Sequence, residues 1–578
     1  MRQLHLPHGY LLKDPTLLGA VDFEFASLTR LVQARVRNAS YRPSPAHVVN
    51  SAKSAGLTRP LTYLHHADAI LLRTLCRQAQ RELHKGFPKW VSFGREDKTD
   101  KASADDYEGW FVKWLRYMKM VSVVVGDFRE FLVISDISNF FPSVDLGLLR
   151  DRLKGTNSLD ETATDLLFFI IDACRPFRLM GTRAPLGLPQ DPYDASRILA
   201  HYFLKPLDWQ LQTEGQQGRY TRWVDDVAVS VESGLEGQEV IGRIQATLRE
   251  LNLAPNAAKT MIITKQEFRD DHYEHENDFL DIVHNLTDIG PASAFVKAVF
   301  KKRLNEFLKM SRRRYWYRVL RRYYTQSRRV GSSTLRASAR THLAEFPTEA
   351  AHIFDYLMFD QNPVTLPNIL FDYFRAEGRL YDDVQILGYE ALLTAPLPDD
   401  QILRSSITRL AYQHLSGMSG FRRPSGYVMG LIALTLYKFG GPNAMSLLTS
   451  RARSLAEQDS LFARHAFLPM YAVGGLKAVT LSAFGDLDDP VVNQTIRFSL
   501  ALERGEDRAI GIALGLLQPR QSSAPVRLLL HARALPLIPL AKSNPTKAPH
   551  VTKVLATTKT ALLTHSSGIR DGVLLRHL

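Results

Sequence analysis

Three aspartates in this 578-residue sequence lie in contexts that favour the binding of divalent cations. Asp136 follows the apolar run of residues 131–134, and the adjacent pair Asp225 and Asp226 separates two apolar segments. A carboxylate at the end of a buried strand is costly to desolvate unless it gains a cation, and two adjacent carboxylates repel each other. Together they supply the three carboxylates that a two-metal centre for phosphoryl transfer requires, with ions about 3.5 to 4 Å apart.

Each of these signals is weak when it is taken alone. An aspartate at a strand end is more often a helix cap or half of an ion pair than a metal ligand. Adjacent aspartates also recur in polar or capping contexts of this chain, beginning at Asp270, Asp382, Asp399 and Asp488. Only the pair at Asp225 is enclosed by strand-like segments, so this pair carries most of the inference.

The residues around the three aspartates predict a sheet covered by helices. Residues 131–134 are continuously apolar, as in a buried strand, and residues 227–231 alternate as in a half-buried strand. Apolar residues mark one helical face over residues 198–207, and residues 261–263 predict a further strand. Helical spacing also extends from about Ala46 to Leu83. Alternation of this kind is typical of a mixed fold with one sheet.

The segment from Lys297 to Arg329 is strongly basic, with Glu306 as its only acid. The aromatic residues interleaved with the basic ones include Tyr315, Trp316, Tyr317, Tyr323 and Tyr324. Basic groups can follow a phosphate backbone while aromatic rings stack on bases, so this mixture predicts a helix pair that faces nucleic acid. A solvated charged face is the alternative. The residues predicted to bind nucleic acid are Lys301, Lys302, Arg303, Arg312, Arg313, Arg314, Arg321 and Arg322.

Beyond about Ser338 the pattern becomes entirely helical. Residues 383–394 and 400–415 predict a helical hairpin, and Asp489 followed by Pro490 is typical of a helix start. Similar helix pairs follow without a clean repeat period. We therefore expect an irregular, HEAT-like helical solenoid that offers a long surface to a partner.

Composition narrows the class of protein. The chain has 73 basic and 59 acidic residues, a formal net charge of +14, which attracts polyanions such as nucleic acid and also membrane surfaces. The N-terminus lacks the apolar stretch of a secretory signal, and the apolar run of residues 428–439 is too short for a bilayer, so we expect no membrane partner. Cys76 and Cys174 are too few for a disulfide framework, which predicts two buried thiols in a cytoplasmic protein.

In order and spacing, four segments resemble motifs A to D of the reverse-transcriptase palm, most closely those of bacterial retron-type and abortive-infection enzymes. The segments are Asp136 with Phe140 and Phe141, residues 187–200, residues 224–226, and the loop that ends at Lys259 and Thr260. The resemblance covers roughly residues 55 to 285. It implies an α+β right-hand polymerase, with N-terminal segment and fingers in 1–125, palm in 126–290, a basic thumb-like connector in 291–337 and an all-α helical-repeat domain in 338–578.

The resemblance also implies roles for individual residues. Asp136, Asp225 and Asp226 would bind two Mg²⁺ ions, which Mn²⁺ could replace, with the Ile137 carbonyl as a further ligand. Phe141, five positions after Asp136, would be a steric gate against a ribose 2′-hydroxyl, so the substrates would be deoxynucleoside triphosphates. The other residues implied in nucleotide binding are Gln190, Ser196, Lys259, Arg59 and Arg95, with structural ion pairs as the alternative for the two arginines.

An enzyme of this kind would be an RNA-directed or template-independent DNA polymerase that acts in antiphage defence. Its partners would be RNA or DNA, and a non-coding RNA or a protein hydroxyl could serve as the primer. Tyr10 and Tyr41 are candidate hydroxyls, although surface or core tyrosines are the more common case. A homo-oligomer is also expected.

The sequence departs from the family pattern at three places. Trp223 replaces the tyrosine of motif C, and Asp191 replaces the glycine of motif B. Residues 278–281 resemble a primer-grip hairpin that lacks its glycine. Handling of template and primer would therefore differ from the family pattern.

Three alternatives remain from the sequence. A group II intron reverse transcriptase often ends in a cysteine-rich endonuclease, which two cysteines cannot build. A HEPN-type ribonuclease is suggested only by the spacing of Arg409 and His414, which arises easily by chance. The third is an RNA-binding scaffold with a degenerate palm, against which the three intact aspartates argue. His272 and His275 could bind a metal, but the mixed charges around them predict a solvated hairpin tip.

Overall fold

The computed structural model describes residues 12, 19–53, 56–88, 91, 110–174, 187–190, 195–212, 219–358, 364–376, 381–395, 400–417, 424–517, 536–553 and 556. These residues form a mostly helical structure with two small antiparallel sheets, in agreement with the predicted mixed class. The strands are β1 (His47–Ala52), β2 (Thr58–Tyr63), β3 (Phe131–Ser135), β4 (Tyr220–Trp223), β5 (Asp226–Val231) and β6 (Met261–Thr264).

Most of the remaining described residues are helical. The first fourteen helices are α1 (Gly19–Phe23), α2 (Phe25–Arg37), α3 (His66–Leu83), α4 (Trp110–Gly126), α5 (Phe140–Ser143), α6 (Leu146–Lys154), α7 (Glu161–Ala173), α8 (Ala195–Phe203), α9 (Lys205–Leu211), α10 (Gly234–Glu250), α11 (Lys265–Asp271), α12 (Glu274–Ile289), α13 (Ala294–Phe307) and α14 (Trp316–Val330). The later ones are α15 (Ala339–Glu345), α16 (Ala350–Leu357), α17 (Thr365–Ala376), α18 (Asp382–Thr394), α19 (Gln401–Leu415), α20 (Gly426–Thr449), α21 (Ala452–Gln458), α22 (Ser460–Ala472), α23 (Lys477–Phe484), α24 (Pro490–Glu503), α25 (Asp507–Leu517) and α26 (Leu537–Lys542).

The larger sheet has four antiparallel strands in the order β4-β5-β3-β6. This confirms the strands predicted over residues 131–134, 227–231 and 261–263. The expectation that residues 227–231 are only half-buried is wrong, because every residue of β5 after Asp226 is buried. Both α4 and α10 contact β5, and the two helices together remove its side chains from water.

Two further local predictions are wrong. The helix predicted from about Ala46 begins only at His66, because β1 and β2 form an antiparallel hairpin before it. Pro60 within β2 lacks the backbone N–H that a helix interior needs. Residues 278–281 lie inside α12 instead of a primer-grip hairpin, since Leu280 and Val283 of this helix are buried in the core that also contains residues of α14.

The core has two main parts. One surrounds the four-stranded sheet and includes Cys76 and Cys174, which are free and buried as predicted. The other runs from Tyr273 to Val551 through the helices that follow β6, which are called the helical half below. Val49 of β1 and Tyr63 of β2 belong to this second part, although they are remote from it in sequence.

Several local predictions for the helical half are confirmed. Helices α18 and α19 match the two predicted helices, and Asp489 caps α24 by accepting a hydrogen bond from the Val491 amide at 2.9 Å. The apolar run of residues 428–439 is the largely buried first part of α20. Within the part of the chain that the structure describes, no helix combines the length and apolar character needed to cross a membrane. Each even-numbered helix from α14 to α26 packs against the next even-numbered one.

Candidate active site at the edge of the four-stranded sheet

The three aspartates meet at one end of two neighbouring strands. Ser135, the last residue of β3, pairs with Val227 of β5, so the next positions outward are Asp136 and Asp226. Asp225 lies in the two-residue turn that joins β4 to β5. Side chains of directly opposed residues project to the same face of a sheet. The strand register therefore places Asp136 and Asp226 side by side at one end of the two central strands, with Asp225 in the adjoining turn. This end of the strands is called the sheet edge below.

The turn that carries Asp225 is held in a strained conformation. Val224 has a φ of +55°, a left-handed value that is costly for a β-branched residue. The buried Arg222 guanidinium donates from Nη1 to the Val224 carbonyl at 2.7 Å and from Nε to Asp208 Oδ1 at 2.8 Å. A buried charge pair of this kind fixes geometry because neither partner can leave without exposing an unpaired charge. The Arg222–Asp208 pair thus holds Val224 in its strained conformation.

The electrostatics of the turn show that the carboxylates interact. Burial, followed by repulsion from Asp226 and Asp136, raises the pKa of Asp225 to about 7, and the charge of Arg59 opposes this rise. Burial and Asp136 also raise the pKa of Asp226, which Lys259 partly offsets. Asp226 is nevertheless exposed to solvent. A carboxylate that is accessible yet surrounded by protein lies in a concave region, as an active site requires.

Asp136 is held by two residues of the loop before β6. Asn256 donates from Nδ2 to Asp136 Oδ2 at 3.0 Å, and its backbone amide donates to the Asp136 carbonyl at 2.7 Å. Lys259 Nζ lies 3.0 Å from the same Oδ2. Sequence reasoning identified Lys259 but not Asn256, whose role depends on a contact 120 residues away along the chain. The buried Ile137 lies beside Pro255 of this loop.

The donor set suits a hard divalent cation. Three carboxylates supply the oxygen ligands that Mg²⁺ and Mn²⁺ prefer, and a cation would relieve the repulsion that adds to burial in raising the pKa of Asp225. Over the described ranges, no three histidine, cysteine or acidic side chains are arranged as a metal-holding group. The ammonium of Lys259 and the amide of Asn256 instead occupy Asp136. Binding of a cation would require Asp136 to exchange these partners.

The predicted nucleotide loop packs directly on the segment that follows Asp136. The Gly187 amide donates to the Pro142 carbonyl at 2.8 Å. A Cβ at Gly187 would lie 2.4 Å from the Phe141 carbonyl oxygen, so no larger residue fits there. At the other end of the described part of the loop, the Thr62 amide of β2 donates to the Gln190 carbonyl at 2.9 Å. The loop therefore joins the segment that follows Asp136 to the β1–β2 hairpin.

The other residues predicted to bind nucleotide occupy different environments. Gln190 is half-buried, and its side-chain Oε1 is buried without a hydrogen-bond partner among the described residues. Phe141 is half-buried, with its ring centre 5.4 Å from that of Phe140. Ser196 is buried in the first turn of α8, and Arg59 is exposed on β2. Arg95, Asp191 and Tyr10 lie outside the described residues.

Arg318 of α14 and Arg314, just before this helix, are cations near the aspartates; the sequence predicted only Arg314, as a contact to nucleic acid. The guanidinium carbon of Arg318 lies 4.3 Å from the centre of the Tyr315 ring, and that of Arg314 lies 5.4 Å from it. Arg314 also donates from Nη1 to Met261 Sδ of β6 at 3.0 Å. Both arginine charges lower the pKa of Asp226. The N-terminal end of the helix therefore faces the aspartates with two positive charges.

Fewer residues in the rest of the basic segment are available to contact nucleic acid than the sequence predicts. The rings of Trp316, Tyr323 and Tyr324 are buried in the core, which rules out base stacking by these three residues. Lys301 and Lys302 are exposed on α13. Five of the eight residues predicted to bind nucleic acid form ion pairs: Arg303 with Glu276, Arg312 with Glu345, Arg313 with Asp270, Arg321 with Glu349 and Arg322 with Asp281.

Three residues singled out earlier belong to packed environments. Tyr41 is buried and donates its hydroxyl to Asp68, which does not suit a priming hydroxyl. His414 is also buried, with Nδ1 2.8 Å from the Tyr389 hydroxyl, so it is a core residue and not the exposed acid or base of a ribonuclease. His272 stacks on Phe268, and burial lowers its pKa to about 4, so the prediction of a solvated tip is wrong there.

Sequence comparisons add no family to this geometry. No protein-family model matches the chain, and no curated protein matches it. An assignment of function therefore depends on the residues at the sheet edge and on their resemblance to reverse-transcriptase motifs.

Proposed function

We propose that this chain is a divalent-cation-dependent nucleotidyltransferase that adds deoxynucleotides to a nucleic-acid or protein hydroxyl. The observation that carries the proposal is the meeting of Asp136, Asp225 and Asp226 at one sheet edge, where burial, followed by repulsion from the other two carboxylates, raises the pKa of Asp225 to about 7. Two Mg²⁺ ions held there would activate the attacking hydroxyl and neutralise the leaving pyrophosphate. A strongly perturbed pKa in the free protein, as at Asp225, is typical of functional sites.

The residues around the carboxylates have complementary roles in the proposal. With cations bound to the carboxylates, the half-exposed side chain of Lys259 would be free of Asp136 and could stabilise charge on the triphosphate. Arg59 approaches the same carboxylates from β2, since its charge lowers the pKa of Asp225. Gln190 offers a buried oxygen without a described partner. Two cations and a polar group of this kind suit the charge of a triphosphate.

The preference for deoxynucleotides rests on Phe141. Its backbone is fixed against the loop at Gly187, and the half-buried ring follows Asp136 at the spacing that resembles a steric gate. Phe141→Ala should raise ribonucleotide incorporation relative to deoxynucleotide incorporation by at least about tenfold. Phe140→Ala, which removes a buried neighbouring ring, is the matched control and should lower stability without this change in selectivity.

The helical half and the antiphage role belong to the same proposal. Consecutive packing of the even-numbered helices from α14 to α26 supports an irregular HEAT-like solenoid. Resemblance to abortive-infection enzymes supports a role in antiphage defence. The exposed Lys301 and Lys302 remain the best candidates on α13 for contact with a phosphate backbone.

The test is incubation of the purified protein with Mg²⁺ and each labelled deoxynucleoside triphosphate, with and without RNA. Extension only with RNA indicates templated copying, and extension without RNA indicates template-independent synthesis. The double variant Asp225→Asn, Asp226→Asn should reduce product to background because both acids lie at the sheet edge. The matched variant Asp270→Asn, Asp271→Asn changes an adjacent pair outside that edge and should retain activity. An inactive wild-type protein would contradict the proposal and favour an RNA-binding scaffold.

A further inference from the structure

The β1–β2 hairpin is attached to the helical half through its outer strand. Asn50 donates its backbone amide to Asp382 Oδ2 at 2.9 Å. Ser51 Oγ and the Ala52 amide both donate to Asp383 Oδ2, at 2.7 and 2.9 Å. An edge strand in a two-stranded sheet leaves its outer N–H groups unpaired. Here the first two residues of α18 accept hydrogen bonds from two of them, the amides of Asn50 and Ala52.

Apolar packing reinforces these hydrogen bonds. Val49 and Tyr63, one from each strand of the hairpin, are buried in the core of the helical half. Asp383 is only 7% exposed, and its Oδ1 accepts a further bond from the Val384 amide at 2.9 Å. Hydrogen bonds to a buried charged acceptor are among the stronger ones in proteins. The hairpin is therefore fixed to α18 and not merely adjacent to it.

The inner strand of the same hairpin reaches the candidate site at two points. Arg59 is the cross-strand partner of Ser51, the residue that Asp383 holds. The Thr62 amide donates to the Gln190 carbonyl in the nucleotide loop. A continuous series of hydrogen bonds thus runs from α18 through β1 and β2 to the loop.

From this arrangement we infer that Asp382 and Asp383 are positioning residues for nucleotide binding, an inference that rests on the proposed function. They hold the hairpin so that Arg59 and the loop at Gln190 face the aspartates, although they touch no substrate themselves. The helical half is then part of the nucleotide site. Loss of the contact should weaken nucleotide binding more than it slows chemistry.

The test compares full-length Asp383→Ala and Asp383→Glu with Asp372→Ala. Asp372 is an exposed acid of α17 that pairs with Arg340 at 3.2 Å and does not contact the hairpin, so it is the matched control. Hydrogen–deuterium exchange of the hairpin, without nucleotide, should be at least about tenfold faster in Asp383→Ala, because loss of one bond to a charged acceptor gives about that factor and this variant removes two. Asp383→Glu keeps the charge and should restore part of the protection.

Steady-state kinetics then separate positioning from general destabilisation. In Asp383→Ala the KM for deoxynucleotide should rise about tenfold while kcat changes less than about threefold. Hairpin exchange equal to that of the control, or an unchanged KM with a fall in kcat, would overturn the inference. If the wild-type protein extends no substrate, the proposed function fails, while the exchange experiment still decides whether α18 holds the hairpin.

A second variant covers the case in which Asp383→Ala does not fold. Ser51→Ala removes one of the two bonds to Asp383 Oδ2 from the hairpin side and leaves α18 unchanged. It should accelerate exchange in the same strands by a smaller factor and raise KM in the same direction. Wild-type exchange and KM in this variant would count against the inference.

Discussion

Replacement of Asp225 by asparagine should stabilise the protein above neutral pH while it removes the proposed activity. Burial, with repulsion from Asp226 and Asp136, raises the pKa of Asp225 from 3.8 to about 7. Since each pKa unit corresponds to about 1.4 kcal/mol, ionised Asp225 costs the native state at most about 4 kcal/mol. Solvent access to the turn reduces this value. Carboxylates that are arranged to bind cations are expected to lower the stability of the protein when no cation is bound.

The sign of the effect depends on pH. Because the pKa of Asp225 is higher in the folded protein, the stability that protonation provides is fully present below about pH 3.8 and is lost as pH rises to about 7. Asparagine stays uncharged throughout this range. The advantage of Asp225→Asn over wild type should therefore grow between about pH 4 and about pH 7 and stay constant above it.

Urea unfolding at about pH 5 and about pH 8, in the presence of a chelator, measures this difference. The control is Asp270→Asn, because pairing of Asp270 with Arg313 at 2.9 Å lowers its pKa and gives the opposite sign. Asp225→Asn should raise the urea midpoint more at the higher pH, whereas Asp270→Asn should raise it at neither. An equal gain at both pH values, or a loss at the higher one, would refute the claim that burial and the neighbouring carboxylates make ionised Asp225 costly to the native state.

Three further outcomes follow from the contacts around the site. Asp208→Asn should lower the free energy of unfolding in urea by about 3 to 5 kcal/mol, because the buried Arg222 loses its charged partner. Asp165→Asn, in an exposed pair with Arg150, should lower it by at most about 1 kcal/mol. Gly187→Ala should destabilise by about 1 to 3 kcal/mol because its Cβ meets backbone atoms, whereas Gly234→Ala, with nothing within 4 Å, should be neutral in the same assay. Lys301→Gln and Lys302→Gln should each lower the salt dependence of single-stranded nucleic-acid binding, with a slope change of about 0.7 per lost contact, and a charge-matched Arg453→Gln on α21 should not.

The elements that hold the carboxylates could be predicted because their signals are local. The apolar run before Asp136 and the segments on either side of Asp225 specify strands without reference to distant residues. The side chains that complete the site are different. Asn256, Arg318 and Asp383 act through contacts with residues far away in the sequence, and nothing in their own neighbourhoods indicates those partners.

The misassigned aromatic residues of α14 did carry a usable signal. Trp316, Val319, Tyr323 and Val330 share the buried face of an amphipathic helix, and their successive spacings of three, four and seven residues are helical. The periodicity predicts a core face, whereas the composition of the segment suggests base stacking. The hairpin before His66 carried less signal, because acids more than 300 residues away bind its outer strand.

The most direct test of the central claim is a titration with Mn²⁺, followed by electron paramagnetic resonance in the presence of a deoxynucleoside triphosphate. The three aspartates should bind two ions per chain, and each of Asp136→Asn, Asp225→Asn and Asp226→Asn should weaken this binding, while Asp270→Asn should leave it unchanged. Equal Mn²⁺ binding by wild type and by the three variants would contradict the convergence of these carboxylates on divalent cations.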